Sequence, residues 1–291
     1  MRKSSLYLPD RLKASLSARA AGTGRSEADL IREAVATALA RPVEAPAATR
    51  DPPVPGRLVG VGVGPGDSDL LTLRAVAALR RADRVLAPTT AVDAVGRAEA
   101  VVREAVPGLA LERVAFAMSS SRRTRNRSVD QAATAVISHL ERGEEVAWIT
   151  LGDPLVYSTF SAIAARVAKK RPGTIVTQVP GIMAFQALAA RTGTVIADER
   201  SRLTVRTALE GDDLERDLAD VESTVVIYKG GRRVPELAGR AAQLGRTRGA
   251  VAGELLGMPG ERVGALEDLS AAGPASYLAT VIVPAFNGGA R

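Results

Sequence analysis

Glycine, proline and aspartate crowd together in Gly62-Val-Gly-Pro-Gly-Asp67. Glycines in such a turn expose backbone N–H groups and let a ligand approach closely. Two later stretches repeat the theme, Leu151-Gly-Asp-Pro-Leu-Val-Tyr-Ser-Thr-Phe160 and Val179-Pro-Gly-Ile-Met-Ala-Phe185. The first turn fits neither familiar phosphate loop. A dinucleotide fingerprint needs a glycine where this chain has Pro65 or Asp67, and a Walker loop needs a lysine that is absent. The chemistry open to these turns is therefore close binding through the main chain.

Other classes of chemistry are excluded by composition. The chain has no cysteine, so disulfides, thiolate metal sites and cysteine nucleophiles are ruled out. His139 is the only histidine, and it falls in an amphipathic helical pattern where an ordinary boundary role is expected. A His cluster for metal is excluded, and no metal site is expected. The net charge is +7, with arginine the main contributor, which suits nucleic acid or a small ligand rich in carboxylates. Aromatic residues are only 3%, too few for a stacking platform that would hold single strands. No segment approaches membrane-spanning length and no apolar signal core follows Met1, so a cytoplasmic protein is expected.

The elements that must position the turns read as alternating strands and helices. Leu58, Val59, Val61 and Val63 form a buried first strand, with Asp67 or Ser68 able to cap the helix after it. A strand over 83–88, a helix over 93–105, a strand over 111–117 and a helix over 129–142 follow. Val146–Leu151 and Thr174–Val179 are further strands. This pattern predicts a mostly parallel sheet with helices on its faces. In such a sheet the carboxyl ends of the strands line one crevice, so the three glycine turns can meet around one ligand. Beyond about 200 come strands over 203–207, 224–228, 250–255 and 277–283, with one helix near 234–244. They predict a second, smaller α/β domain. The expected division is 57–197 and 198–286.

Residues 1–41 form a separate module, joined by a stiff linker over 42–56 that holds five prolines. The module has an alternating strand over Lys3–Leu8, then two short helices, the second opened by Ser26 with Asp29. It cannot bury an adequate core alone, so a dimer or docking on the rest of the chain is needed. Its residues Arg2-Lys-Ser-Ser-Leu-Tyr-Leu-Pro-Asp10 and Gly24-Arg-Ser-Glu-Ala-Asp-Leu-Ile-Arg-Glu-Ala34 resemble the ribbon-helix-helix DNA-binding family. The resemblance implies paired strands in the major groove, with Lys3, Ser5 and Tyr7 towards bases and the amides near Ser26 against a phosphate. Dimerisation without DNA binding stays open.

The three turns, together with Leu70-Leu-Thr-Leu73, resemble the tetrapyrrole methylases that use S-adenosylmethionine, over about 57–286. Gly152–Phe160 and Gly257-Met-Pro-Gly-Glu-Arg262 are most similar to the branch that methylates C20 of precorrin-2 or cobalt-precorrin-2 in cobalamin biosynthesis. The resemblance implies a homodimer of two-domain subunits with the methyl donor in the cleft between domains. Pro65 and Asp67 would lie at that cleft. Leu151, Gly152, Asp153 and Val156 would contact the donor, Met183 and Ala184 would border it, and 253–257 would close it from the second domain. Lys229 falls where relatives often have methionine. A methyl on a sulfonium is already a strong electrophile, so the protein mainly has to position atoms and exclude water. Asp67 is the candidate base for the departing proton, with Tyr157 after it. The segment Ser121-Arg-Arg-Thr-Arg-Asn-Arg127 reads as a loop whose Arg122, Arg123 and Arg125 could grip the acid arms of the ring. Two alternatives stay open: methylation elsewhere on the ring, and a DNA-binding regulator whose methylase part senses the donor or a tetrapyrrole.

Overall fold

The computed structural model describes residues 9–40, 56–117, 121–208 and 213–286, without the side chains of 36–40 and 122. The chain divides into two units, Met1–Pro52 and Pro53–Arg291. The described part of the first holds α1 (Asp10–Thr23) and α2 (Glu27–Ala40). Gly24, at φ 65°, ends α1 in the left-handed conformation. Ser26 opens α2, its hydroxyl accepting from the Asp29 amide at 3.2 Å and donating to the Asp29 carboxylate at 2.7 Å. No residue of α1 is buried. The expected strand with Lys3, Ser5 and Tyr7 lies outside the described residues, as does nearly all of the linker.

The second unit begins with β1 (Arg57–Gly62), α3 (Leu73–Arg81), β2 (Arg84–Thr89), α4 (Arg97–Ala105) and β3 (Glu112–Ala115). Then come α5 (Arg122–Leu140), β4 (Glu145–Thr150), α6 (Phe160–Lys170), β5 (Ile175–Val179) and α7 (Ala184–Thr192). The strands form a parallel sheet in the order β3-β2-β4-β1-β5. Its central strands are apolar on both faces, as a sheet covered by helices requires. Val59, Val61 and Ile149 pack towards α3 and α4, while Leu58, Trp148 and Phe160 pack with Val136 and Leu140 of α5.

The second half holds β6 (Arg202–Thr207), α8 (Asp213–Ala219), β7 (Ser223–Tyr228), α9 (Val234–Gln243), β8 (Val251–Glu254), β9 (Arg262–Ala265), α10 (Leu266–Ala271) and β10 (Thr280–Val283). Its sheet, ordered β6-β7-β10-β8-β9, is mixed: β6 and β7 are parallel and the other pairs antiparallel. The halves are joined through α7, whose Phe185 and Leu188 pack with Val226, Leu256 and Ile282.

Several elements differ from the sequence reading. After β1 a short 3-10 turn, Ser68–Leu70, comes first, and Asp67 caps it by accepting from the Asp69 amide at 3.0 Å. The α-helix starts only after Thr72, which accepts from the Ala75 amide at 3.1 Å. Leu73, the first residue of that helix, is 91% exposed. The helix expected from 93 starts at Arg97. The arginine-rich segment is not a loop: it forms the first turns of α5, capped by Ser121. Arginine is a good helix former, and an exposed helix start needs no apolar period. Among its described residues the second half has three α-helices rather than one, because α8 and α10 are too short to show a period. The strand expected from Tyr277 begins at Thr280, and β9 went unread because its four residues carry glycine and a charge.

Candidate active site

β4, β1 and β5 lie side by side in register, so the turns at their carboxyl ends must meet. The Gly152 amide donates to the Gly64 carbonyl at 2.7 Å, tying the second turn to the first. A side chain at Gly62 would run into the Gly152 carbonyl and the Gly181 backbone, so only glycine lets all three turns close. Asp153 locks them. One carboxylate oxygen accepts from the Leu155 amide at 2.8 Å and the other from the Gly181 amide at 3.1 Å. Its charge is thus used by the protein's own main chain, and α6 starts well beyond it, at Phe160.

The second half meets these turns backbone to backbone. Gly66 abuts the Leu256 carbonyl, and Gly257 abuts the main chain of Asp67. Between the halves lies a hollow with about 690 Å³ of empty space, open solvent at its mouth included. Pro65, Leu151, Gly152, Asp153, Val156, Tyr157, Met183 and Ala184 line it from the first half. Tyr228, Lys229, Leu255, Leu256, Met258, Leu278 and Thr280 line it from the second. The lining is largely apolar with a few polar groups, the usual character of a small-molecule site.

Among the described residues, three that are not glycine hold a left-handed backbone: Tyr157 (φ 49°), Lys229 (φ 58°) and Leu255 (φ 53°). All three line this hollow. Each such conformation costs about 1–3 kcal/mol, and strain of this kind gathers where geometry serves binding. Tyr157 bridges the cleft, its hydroxyl donating to the Val205 carbonyl at 2.7 Å. Lys229 returns the bridge, Nζ donating to the Tyr157 carbonyl at 3.2 Å while lying 5.9 Å from the Tyr277 ring centre. Burial holds the Lys229 ammonium below the ordinary lysine range. Burial likewise pushes the Tyr228 phenol far above its usual value, so it stays protonated. The Thr280 hydroxyl is buried in the wall and finds no partner among the described residues.

Two sets of expected residues fall elsewhere. Asp67 is outside the lining: its carboxylate caps the 3-10 turn and faces Arg191 at 3.8 Å. Arg123 lines an open groove on α5 with Asn126, Arg127, Asp130, Gln131 and Thr134, away from the hollow. Arg125 acts electrostatically on Tyr277. The side chain of Arg122 is outside the described residues.

The sequence of residues 57–269 matches the family model for Tetrapyrrole (Corrin/Porphyrin) Methylases. The chain is a tetrapyrrole methylase. A second model, ribbon-helix-helix protein of the copG family, matches residues 5–42. The methylase is 32% identical over 239 residues to a precorrin-2 C(20)-methyltransferase from Sinorhizobium sp, covering 79% of this chain and 95% of that enzyme. It is 27% identical over 230 residues to a cobalt-precorrin-2 C(20)-methyltransferase from Salmonella typhimurium, covering 78% and 96%. Among solved structures, a cobalt precorrin-4 methyltransferase superposes with a TM-score of 0.59 at 21% identity, covering 78% of this chain and 94% of that one. A uroporphyrin-III C-methyltransferase from Thermus thermophilus, complexed with S-adenosylhomocysteine, superposes at 0.54 with 22% identity, covering 79% and 92%. These solved structures share the methylase's fold.

Tyr228, Met258, Leu278 and Thr280 also line the methylase's cleft, though none of them was expected as a site residue. Met258 sits in the Gly257–Arg262 motif, and Thr280 is a hydroxyl within the apolar run Leu278-Ala-Thr-Val-Ile-Val283.

Proposed function

We propose that this methylase transfers one methyl group from S-adenosylmethionine to C20 of precorrin-2 or cobalt-precorrin-2, as a step of cobalamin biosynthesis. The observation that carries the reading is the meeting of Pro65, Asp153 and Met183 on one hollow, in a chain that spans 95% of a C20-methyltransferase. The hollow fits the donor chemically. Its glycine turns leave main-chain groups approachable, its walls are apolar, and the buried Thr280 hydroxyl awaits a partner.

When bound, the donor supplies a methyl on a positively charged sulfur that leaves with the bonding electron pair. The chain's own part is placement. Pro65, Leu151, Gly152, Val156, Met183 and Ala184 form the floor and near wall, and Leu255, Leu256 and Met258 the far wall. Apolar walls on both sides keep water from the reacting atoms. Asp153 acts by holding the turns together, and Asp67 by holding the 3-10 turn behind Pro65. Tyr157 reads better as a strap than as a base, because its proton is committed to Val205. Arg125, whose charge reaches Tyr277, suits an acid arm of the ring. Incubation with precorrin-2 and methyl-labelled donor tests the reading. One label per ring, placed at C20 by NMR, is expected; a label at another carbon overturns the position, and no transfer overturns the enzyme.

A second activity is proposed for residues 1–41. The module pairs with a second chain and presents Lys3, Ser5 and Tyr7 to DNA, with the start of α2 at Ser26 against a phosphate. Its support is the copG-family match, and an α1 that buries nothing within one chain although Leu12 is 59% exposed. On this view the linker lets module and methylase fold separately, and the methylase works as a cytoplasmic homodimer. Sedimentation and gel shifts with and without residues 1–52 test it; a monomer, or equal DNA binding by both forms, overturns it.

A further inference from the structure

Lys229 is the one basic side chain among the residues lining the cleft. Asp153 is the one acidic side chain there, and both its oxygens are taken by main-chain amides. Among the described residues, the cleft therefore carries an ammonium with no counter-charge. Lys229 has three N–H donors. The Tyr157 carbonyl takes one and the Tyr277 ring lies within cation–π range. No carboxylate acts on Lys229 among the described residues, and burial alone disfavours its charge. A half-buried ammonium held this way is costly unless something anionic completes it.

The backbone argues in the same direction. Lys229 holds φ 58° directly after β7, a conformation that glycine would adopt at less cost. Both Gly230 and Gly231 follow it, so glycine is at hand in this turn. Lysine stands instead at the strained position, with its stem in the cleft wall and its head strapped to the opposite half.

Building on the function proposed above, we propose that Lys229 is the anion anchor of the cleft, binding a carboxylate. That carboxylate belongs either to the amino-acid end of the methyl donor or to an acid arm of the tetrapyrrole. The two sources share one chemistry, a charge-assisted N–H···O contact.

The test uses the full-length chain with Lys229→Met, which keeps length and apolar bulk, and Lys229→Arg, which keeps charge. Binding of S-adenosylhomocysteine and of 5′-methylthioadenosine, which lacks the amino-acid end, is measured by calorimetry, and methyl transfer is measured against ring concentration. If the donor's carboxylate is held, Lys229→Met weakens S-adenosylhomocysteine roughly ten- to hundredfold and leaves methylthioadenosine within twofold. If a ring arm is held, both nucleosides bind as before and KM for the ring rises about tenfold or more with kcat nearly unchanged. In either case Lys229→Arg recovers most of the loss. The inference is overturned if neither quantity moves by more than twofold, or if methylthioadenosine weakens as much as S-adenosylhomocysteine. Wild-type protein that binds no S-adenosylhomocysteine overturns the functional reading and this inference with it.

Discussion

The hydroxyl of Tyr157 donates to the main-chain carbonyl of Val205 at 2.7 Å, joining a turn of the first half to β6 of the second. The two residues stand forty-eight positions apart, on opposite sides of the cleft. To act as a base, Tyr157 would first have to give up the proton it donates to Val205. Tyr157→Phe is therefore expected to cost about 1 kcal/mol of stability, seen as a thermal midpoint lower by a few degrees. The pH–rate profile should keep its shape. Loss of one limb of that profile would return Tyr157 to the role of base.

Asp153 offers two oxygens to two amides. Asp153→Asn swaps one oxygen for an N–H₂ group that faces another donor, so it should be nearly as damaging as Asp153→Ala. Both should lower the urea midpoint, by about 1–3 kcal/mol once converted, and weaken S-adenosylhomocysteine as the turns loosen. An Asn variant with wild-type stability and binding would show that Gly181 is held by other means.

Thr280 carries a buried hydroxyl that finds no partner among the described residues. Thr280→Val removes the polar atom at similar volume. The ligand-free protein should gain up to about 1 kcal/mol of stability, while S-adenosylhomocysteine binds several-fold more weakly. Unchanged affinity would mean that the bound donor leaves the hydroxyl unpaired.

Glu144 gives a prediction remote from the cleft. Burial pushes its carboxyl up, but hydrogen bonds from His139, Arg142 and Arg84 outweigh that and bring it down to about 2. His139 meets Glu144 at 2.7 Å through Nδ1 and Glu112 at 3.2 Å through Nε2. A carboxyl with a depressed folded-state value stabilises the fold above its unfolded value and loses that contribution as pH falls through its folded one. Glu144→Gln should thus be less stable than wild type near pH 6. The gap should close between pH 4.5 and 2. Urea midpoints across that range check it; a gap independent of pH would sink the assignment.

The parallel sheet was legible because its central strands are apolar on both faces and end in glycine turns. Leu58, Val61 and Ile149 announce themselves by type alone. The arginine start of α5 was misread because an exposed helix face leaves no apolar period to find. Asp153 was legible as important but not as a lock, since its partner Gly181 is close only after β1, β4 and β5 pair. Asp67 was legible as a cap but not as the neighbour of Arg191, which nothing local reveals. Thr280 and Tyr228 joined the site through a sheet whose order, β6-β7-β10-β8-β9, brings the last strand into the middle. Pattern along the chain cannot foretell that insertion.

Gly66 against Leu256 and Gly257 against Asp67 bring the two halves into main-chain contact at this stretch of the seam. Surfaces that touch this closely have nothing compressible to slide on, so a hinge there has little travel. Retuning this scaffold for a different macrocycle is then a matter of repainting the entrance, at Lys229 and the Tyr277 ring beside it. A single added methyl at the seam should do more harm than several changes at the entrance.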